Sequence, residues 1–321
     1  MDMTEPMKKK PCMVIAGPTA SGKSALAVRI SGVIGGSVIS ADSMQVYRRM
    51  NIGSAKITSE EMKGIPHYLI DAIEPSEEFN VFRFQQLGRE AMRQIYEEGR
   101  IPVIAGGTGF YIQALLRDID FTETEGASPF RKELERRAAA GEGGRIYEEL
   151  QAADPESAAA IHPHNIRRVI RALEYYHETG RPISQHNQEQ RERTSPYRSV
   201  YFVLTDDRAH LYRKIGERVD RMVGDGLFEE VGELIAEGLT ADCTSMKGLG
   251  YRELFPYFRG EISKEEAIEK IKTDTRHFAK RQLTWFRREK DAVWIDTSKF
   301  DYSEDAILAE MLRIWREQMR G

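Results

Sequence analysis

The feature that most constrains this chain is Gly17-Pro18-Thr19-Ala20-Ser21-Gly22-Lys23-Ser24, which fits the pattern G-x-x-x-x-G-K-[ST]. At average residue usage, one such match is expected in roughly one chain of this length in a hundred. Its setting adds weight. Cys12-Met13-Val14-Ile15-Ala16 is a short apolar run suited to a buried strand, and Ala25-Leu26-Ala27-Val28-Arg29-Ile30 is a good helix. Strand, glycine-rich turn and helix form the context this phosphate-binding loop requires. The glycines let successive backbone N–H groups face an anion, and the helix N-terminus adds favourable partial charge. Lys23 would reach the outer phosphate and Ser24 would hold Mg²⁺. The loop implies a diphosphate or triphosphate ligand. It leaves the reaction open, because kinases, NTPases and some transferases all use it.

The first ~118 residues alternate strand-like and helix-like segments. Ser37-Val38-Ile39-Ser40-Ala41 ends in Asp42, and His67-Tyr68-Leu69-Ile70 is a third apolar run. A helix fits 82–98, where Phe84, Leu87, Ala91 and Ile95 recur at three or four residues. Ile101-Pro102-Val103-Ile104-Ala105 then precedes Gly106-Gly107-Thr108-Gly109. The alternation predicts an α/β fold: a P-loop core with a mostly parallel sheet flanked by helices. Ligands in such folds sit at the carboxyl ends of the strands, so one cleft could collect Gly17, Asp42 and Gly106. From about 120 the character changes. Helices fit 133–150 and 165–179, 123–129 reads as a linker, and 185–196 reads as a polar loop. Strand pattern returns at Val200-Tyr201-Phe202-Val203-Leu204 and at Ala292-Val293-Trp294-Ile295, with helices between about 208 and 288. The expected organisation is a core of 1–119 and 197–321, with a helical insertion domain at 120–196.

Bulk properties point to a soluble, cytoplasmic enzyme. Hydrophobic residues make up 40% and the formal charge is −4, so no global basic character advertises nucleic acid. Cys12 and Cys243 lack metal-ligand spacing and read as reduced thiols. No apolar run approaches the ~20 residues of a membrane span. Lys8, Lys9 and Lys10 precede an apolar segment, as in a signal peptide, but Gly17-Pro18 breaks that segment early. It reads as the first strand. No H-E-x-x-H, C-x-x-C or nucleophile-elbow pattern occurs, so no zinc is expected.

Asp42-Ser43-Met44-Gln45-Val46-Tyr47 is the second signal. A carboxylate at a strand end beside a P-loop serves as a general base or as a water-mediated Mg²⁺ ligand; it can also simply cap a helix. Gln45 and Ser43 supply the amide and hydroxyl that read a nucleobase edge. The Gly106–Gly109 run implies either a close backbone approach to a ligand or a tight turn, with Thr108 the one side chain able to touch a ligand. Basic residues are concentrated in two places despite the acidic total. Arg167, Arg168 and Arg171 form one patch, with Arg167 and Arg171 on one helix face. Lys272, Arg276, Lys280, Arg281, Arg287, Arg288 and Lys290 form the other, beside Trp285 and Phe286. Each patch reads as a solvated helix face or as an RNA-backbone surface. Arg218 and Arg221 share a charged amphipathic helix whose pattern does not separate a phosphate ligand from a salt bridge.

The chain resembles the bacterial tRNA dimethylallyltransferase (tRNA isopentenyltransferase) family. The likeness rests on the P-loop, Ala41–Tyr47, Asn51-Ile52-Gly53-Ser54-Ala55-Lys56, Ala105-Gly106-Gly107-Thr108-Gly109-Phe110-Tyr111 and Thr275-Arg276-His277-Phe278-Ala279-Lys280-Arg281-Gln282-Leu283-Thr284-Trp285. Arg171-Ala172-Leu173-Glu174 and Lys247-Gly248-Leu249-Gly250-Tyr251-Arg252 also match. This resemblance implies transfer of a dimethylallyl group from dimethylallyl diphosphate to N6 of adenosine 37, in tRNAs that read codons beginning with U. It makes Asp42 the base toward N6, with Thr19, Lys23 and Arg218 on the diphosphate. The P-loop then holds a leaving diphosphate with Mg²⁺. Contacts to the tRNA anticodon stem-loop would come from Asp42, Ser43, Met44, Gln45, Thr108, Arg167, Arg168, Arg171, Lys247, Gly248, Tyr251, Arg252, Arg276, Lys280 and Arg281. A monomer is expected. His162-Pro163-His164-Asn165 departs from the family's His-Pro-Asn-Asp and leaves the role of 162–166 open. The rival readings are a P-loop small-molecule or nucleotide kinase and an adenylate isopentenyltransferase.

Overall fold

The computed structural model of the protein describes residues 9–121 and 128–320. The chain forms two compact units: Met1–Leu116 with Pro196–Gly321, and Arg117–Ser195. Six strands build the sheet of the first unit: β1 (Lys10–Ala16), β2 (Gly36–Ser40), β3 (His67–Tyr68), β4 (Ile101–Gly106), β5 (Tyr197–Thr205) and β6 (Val293–Asp296). Their order is β3-β2-β4-β1-β5-β6, and every pairing is parallel. Helices connect them: α1 (Lys23–Ile34), α2 (Ser59–Met62), α3 (Val81–Glu97) and α4 (Gly109–Leu116) lie before the second unit. The second unit contains α5 (Pro129–Ala139), α6 (Gly143–Ala153), α7 (Pro155–Ala160), α8 (Ile166–Thr179) and α9 (Ile183–Glu192). After it come α10 (Arg208–Gly224), α11 (Leu227–Ala236), α12 (Phe255–Phe258), α13 (Lys264–Phe286) and α14 (Glu304–Arg320).

The continuous apolar strands follow from burial on both sheet faces. Cys12, Val14 and Ala16 of β1 join a cluster with Phe84 and Ile95 of α3 and Ile271 and Phe286 of α13. Met13 and Ile15 point the other way, to Leu26 and Ile30 of α1 and Met311 and Trp315 of α14. That alternation is the period-two geometry of a strand. The third apolar run pairs only over His67 and Tyr68, because Leu69 turns to φ 62° and Asp71 to φ 50°.

The second unit packs Leu134, Ile146, Leu150, Val169, Ile170 and Leu173 into a core of its own. Two expectations fail there. The single helix over 133–150 is two helices, because Gly141 takes φ 89° and ends α5. The polar loop over 185–196 is instead α9 as far as Glu192. Beyond Ile183, which packs on that core, its inward positions are polar and hydrogen-bonded. Ser184 N–H and Oγ donate to Asp154 at 3.0 and 2.7 Å, and Gln190 Oε1 accepts Asp120 N–H at 2.9 Å. Of the expected linker, residues 122–127 lie outside the described part. Ser128 accepts Arg131 N–H and caps α5, with Pro129 in the first turn.

Candidate active site

The P-loop is shaped by its backbone. Gly17 has φ 152°, Ala20 φ 63° and Gly22 φ 85°. A Cβ on Gly17 would stand 2.9 Å from Leu204 O, so the loop is pressed against the end of β5. Gly22 supplies no side-chain cap to α1, which leaves first-turn N–H groups available to an anion. Lys23 Nζ curls back to donate to Pro18 O at 2.7 Å. Burial pushes the Lys23 ammonium down to about 7; the Arg218 cation acts in the same direction and Asp42 opposes it. Burial also lowers Arg218.

Asp42 follows β2, and the strand ends place it. Ala41 N–H donates to Ala105 O at 2.8 Å, and Thr108 N–H donates to Ala41 O at 3.2 Å. A Cβ on Gly106 would lie 2.3 Å from Ala41 O. The glycines at the end of β4 and just after it make close contacts within the protein: Gly106 admits Ala41, Gly107 faces Gln282 and Gly109 faces Trp285. Asp42 caps a turn and not a helix, accepting Met44 N–H on Oδ1 at 2.8 Å.

Two cavities meet at this point. One, of about 350 Å³, is lined by Thr19, Asp42, Ser43, Met44, Thr108, Lys247, Gly248, Arg252 and Arg281, among others. The second, of about 710 Å³, is lined by the P-loop from Ala20, by Lys56 and Ile57, and by Lys214 and Arg221. Lys23, Ser24, Arg218 and Met222 line both. Arg218 stands at the junction, and Arg221 lines only the second cavity.

Several expected RNA contacts also engage groups of the protein. Gln45 is buried, accepts Ser40 Oγ at 3.1 Å and donates to Ala55 O at 3.2 Å, so its amide is engaged by the protein. Tyr251 is fully buried, so it is a packing residue and not a surface contact. Its hydroxyl donates to Glu230 at 2.8 Å and its ring covers Gly53. Arg252 pairs with Glu253 and Asp274. Arg171 binds the wholly buried Glu174 at 3.0 Å and stays partly exposed, four residues along α8 from the exposed Arg167. Arg167 and Arg168 are exposed, as are Lys247, Lys280 and Arg281, while Arg276 is half-buried.

Two residues that hold the site carried no such role in the sequence reading. Buried Gln282 accepts Thr19 N–H at 2.9 Å and donates to Gly107 O at 3.0 Å, tying the P-loop to the loop after β4. Glu230 accepts the N–H groups of Asn51, Ile52 and Gly53 at 2.7, 2.8 and 3.0 Å, besides Tyr251. It fixes the segment that separates the cavities on one side. Lys56, at its end, donates to Tyr47 O, Asn51 Oδ1 and Asp71 Oδ1. Gln282 lay inside a motif already singled out. Glu230 had no local signal.

A family model described as IPP transferase matches residues 45–289. The chain is 53% identical over 310 residues to a tRNA dimethylallyltransferase of Lachnoclostridium phytofermentans, covering 96% of this chain and 98% of that one. A solved tRNA isopentenylpyrophosphate transferase from Bacillus halodurans has a TM-score of 0.72 at 41% identity, covering 98% and 99% of the two chains. A eukaryotic dimethylallyltransferase acting on tRNA has a TM-score of 0.79 at 30% identity, covering 89% and 74%. Taken with the P-loop sheet and the paired cavities, these likenesses establish that the chain belongs to the IPP transferase family.

Proposed function

We propose that the protein transfers a dimethylallyl group from dimethylallyl diphosphate to N6 of adenosine 37 in tRNAs that read codons beginning with U, releasing diphosphate. The observation that carries the reading is the junction of two cavities at Lys23, Ser24 and Arg218, with Asp42 on one side and the P-loop on the other. The adenine amino group is a weak nucleophile because its lone pair feeds the ring. As N6 attacks C1 of the donor, the C1–O bond breaks and its electron pair leaves with the diphosphate. Asp42 takes the N6 proton, a contribution of about 10²–10⁴-fold for a positioned base. Lys23, Arg218 and the first-turn N–H groups of α1 meet the charge that grows on the leaving oxygen. Thr19, tied down by Gln282, lines the amine side.

The residues fit a Mg²⁺ ion. Ser24 presents a hydroxyl at the junction, and diphosphate supplies the further hard oxygen ligands this ion prefers. Among the described residues no cluster of three or more His, Cys, Asp or Glu side chains forms a cage, so the ion would be held jointly with substrate. When bound, it would neutralise charge on the departing diphosphate.

The target base must leave the anticodon-loop stack, which costs a few kcal/mol for an unpaired base. Asp42, Ser43, Met44, Thr108 and Gly248 would surround it. Lys247, Arg252, Arg276, Lys280 and Arg281, with Arg167, Arg168 and Arg171 on α8, would hold the stem and loop. One chain supplies the lining of both cavities, and the monomer is taken as the working unit. No described helix is long and apolar enough to cross a membrane. The test is Asp42→Ala, with prenyl transfer and tRNA binding measured on the same preparation. Transfer should fall by at least about 10²-fold while tRNA binding survives. Equal loss of both would make the protein an RNA-binding module, and unimpaired transfer would remove Asp42 from the chemistry.

A further inference from the structure

The junction of the cavities contains one apolar side chain. Of the four residues that line both spaces, Lys23 and Arg218 are cations and Ser24 is a hydroxyl; Met222 is the fourth. Met222 lies four residues beyond Arg218 on α10, so the two side chains share a helix face. Ile215 and Val219 continue that face into the first cavity, where both are buried. Met222 is only half-buried and packs on the edge of the main core cluster.

In-line displacement sets the direction of the donor's hydrocarbon. The attacking nitrogen, C1 and the leaving oxygen lie on one line, so the rest of the prenyl chain must turn aside from that line at the junction. Charged groups there serve the diphosphate. The hydrocarbon is left with the apolar wall, and Met222 stands where the wall meets the junction. We propose that Met222 sets the donor's chain length, restricting the enzyme to a single isoprene unit. An unbranched thioether fills such a space closely and stays deformable enough to let diphosphate pass. The inference rests on the prenyl-transfer reading above.

The test sets dimethylallyl diphosphate against geranyl diphosphate at equal concentration, with unmodified tRNA and the full chain. Modified adenosines are weighed after digestion. The wild type should give dimethylallyl adenosine, and Met222→Leu, of similar volume, should keep that preference. Met222→Ala should lower the dimethylallyl-to-geranyl ratio by at least about tenfold, the scale of steric discrimination in an apolar pocket. An unchanged ratio in an active Met222→Ala protein would overturn the proposal. Met222→Phe covers the case in which the alanine variant does not fold. It should raise KM for dimethylallyl diphosphate and leave the affinity for inorganic diphosphate unchanged; an unchanged KM would overturn the proposal equally. A wild type that transfers neither group to tRNA refutes the parent reading, and this one with it.

Discussion

The bridge made by Gln282 yields a prediction with an internal control. Its carboxamide makes two hydrogen bonds, to Thr19 N–H at 2.9 Å and to Gly107 O at 3.0 Å, across 263 and 175 residues of chain. Each neutral hydrogen bond contributes about 0.5–1.5 kcal/mol net, and a buried donor left without a partner costs about 1–3 kcal/mol. Gln282→Ala should therefore destabilise the first unit by about 3 kcal/mol. Gly107→Ala reaches the same bridge from the other end. The added Cβ would stand 2.1 Å from Gln282 Nε2, so the amide must move and both bonds are disturbed. Its expected cost is about 2–3 kcal/mol. In the double variant the clash has nothing to meet, so the total should stay near 3 kcal/mol instead of the 5–6 of simple addition. Urea unfolding followed by tryptophan fluorescence suits the assay, because Trp285, Trp294 and Trp315 all lie in the first unit. Costs that add to within about 0.5 kcal/mol would refute the bridge.

Three further predictions follow from the same geometry. With its ammonium pushed down to about 7 from an ordinary 10.5, Lys23 holds its proton less tightly in the folded protein than in the unfolded chain. Folded stability should therefore rise with pH across that interval, and Lys23→Met should lose this part of the rise in pH-dependent urea melts. A bound anion restores the proton, so calorimetry near pH 8 in two buffers should find uptake on diphosphate binding that Lys23→Met lacks. Glu230→Ala strips the acceptor from three backbone N–H groups and the buried Tyr251 hydroxyl. It should cost about 3–5 kcal/mol in a fluorescence melt, with Tyr251→Phe costing about 1 kcal/mol. Arg171→Ala leaves the buried Glu174 carboxylate, among the described residues, to Ser128 and Arg131. It should destabilise the second unit by about 2–3 kcal/mol by circular dichroism, and Glu174→Gln in the same chain should recover part of that.

The sheet was legible because its signals are local. Each apolar run is short, is bounded by glycine or polar residues, and alternates with a helical stretch, so all six strands could be placed. The P-loop was legible for the same reason: strand, turn and helix adjoin in sequence. Reading failed where polar groups do the packing. α9 carries Ser184, His186 and Gln190 toward its neighbours, and hydrophobic periodicity does not register a helix held by hydrogen bonds. The engaged amide of Gln45 and the buried ring of Tyr251 were not visible in the sequence for a related reason, since residue type shows what a side chain can bind and not what it already binds. Glu230 meets its three backbone partners 177–179 residues away, and on an amphipathic helix a glutamate reads as solvated. Met222 emerged only when two cavities shared a wall.

The most direct test mixes purified protein, Mg²⁺, dimethylallyl diphosphate and unmodified tRNA carrying adenosines at 36, 37 and 38, then weighs the nucleosides after digestion. The account predicts a dimethylallyl mass increment on adenosine 37, with one diphosphate released per modified base. No increment, with ATP consumed in a parallel reaction, would contradict it and return the P-loop to phosphoryl transfer.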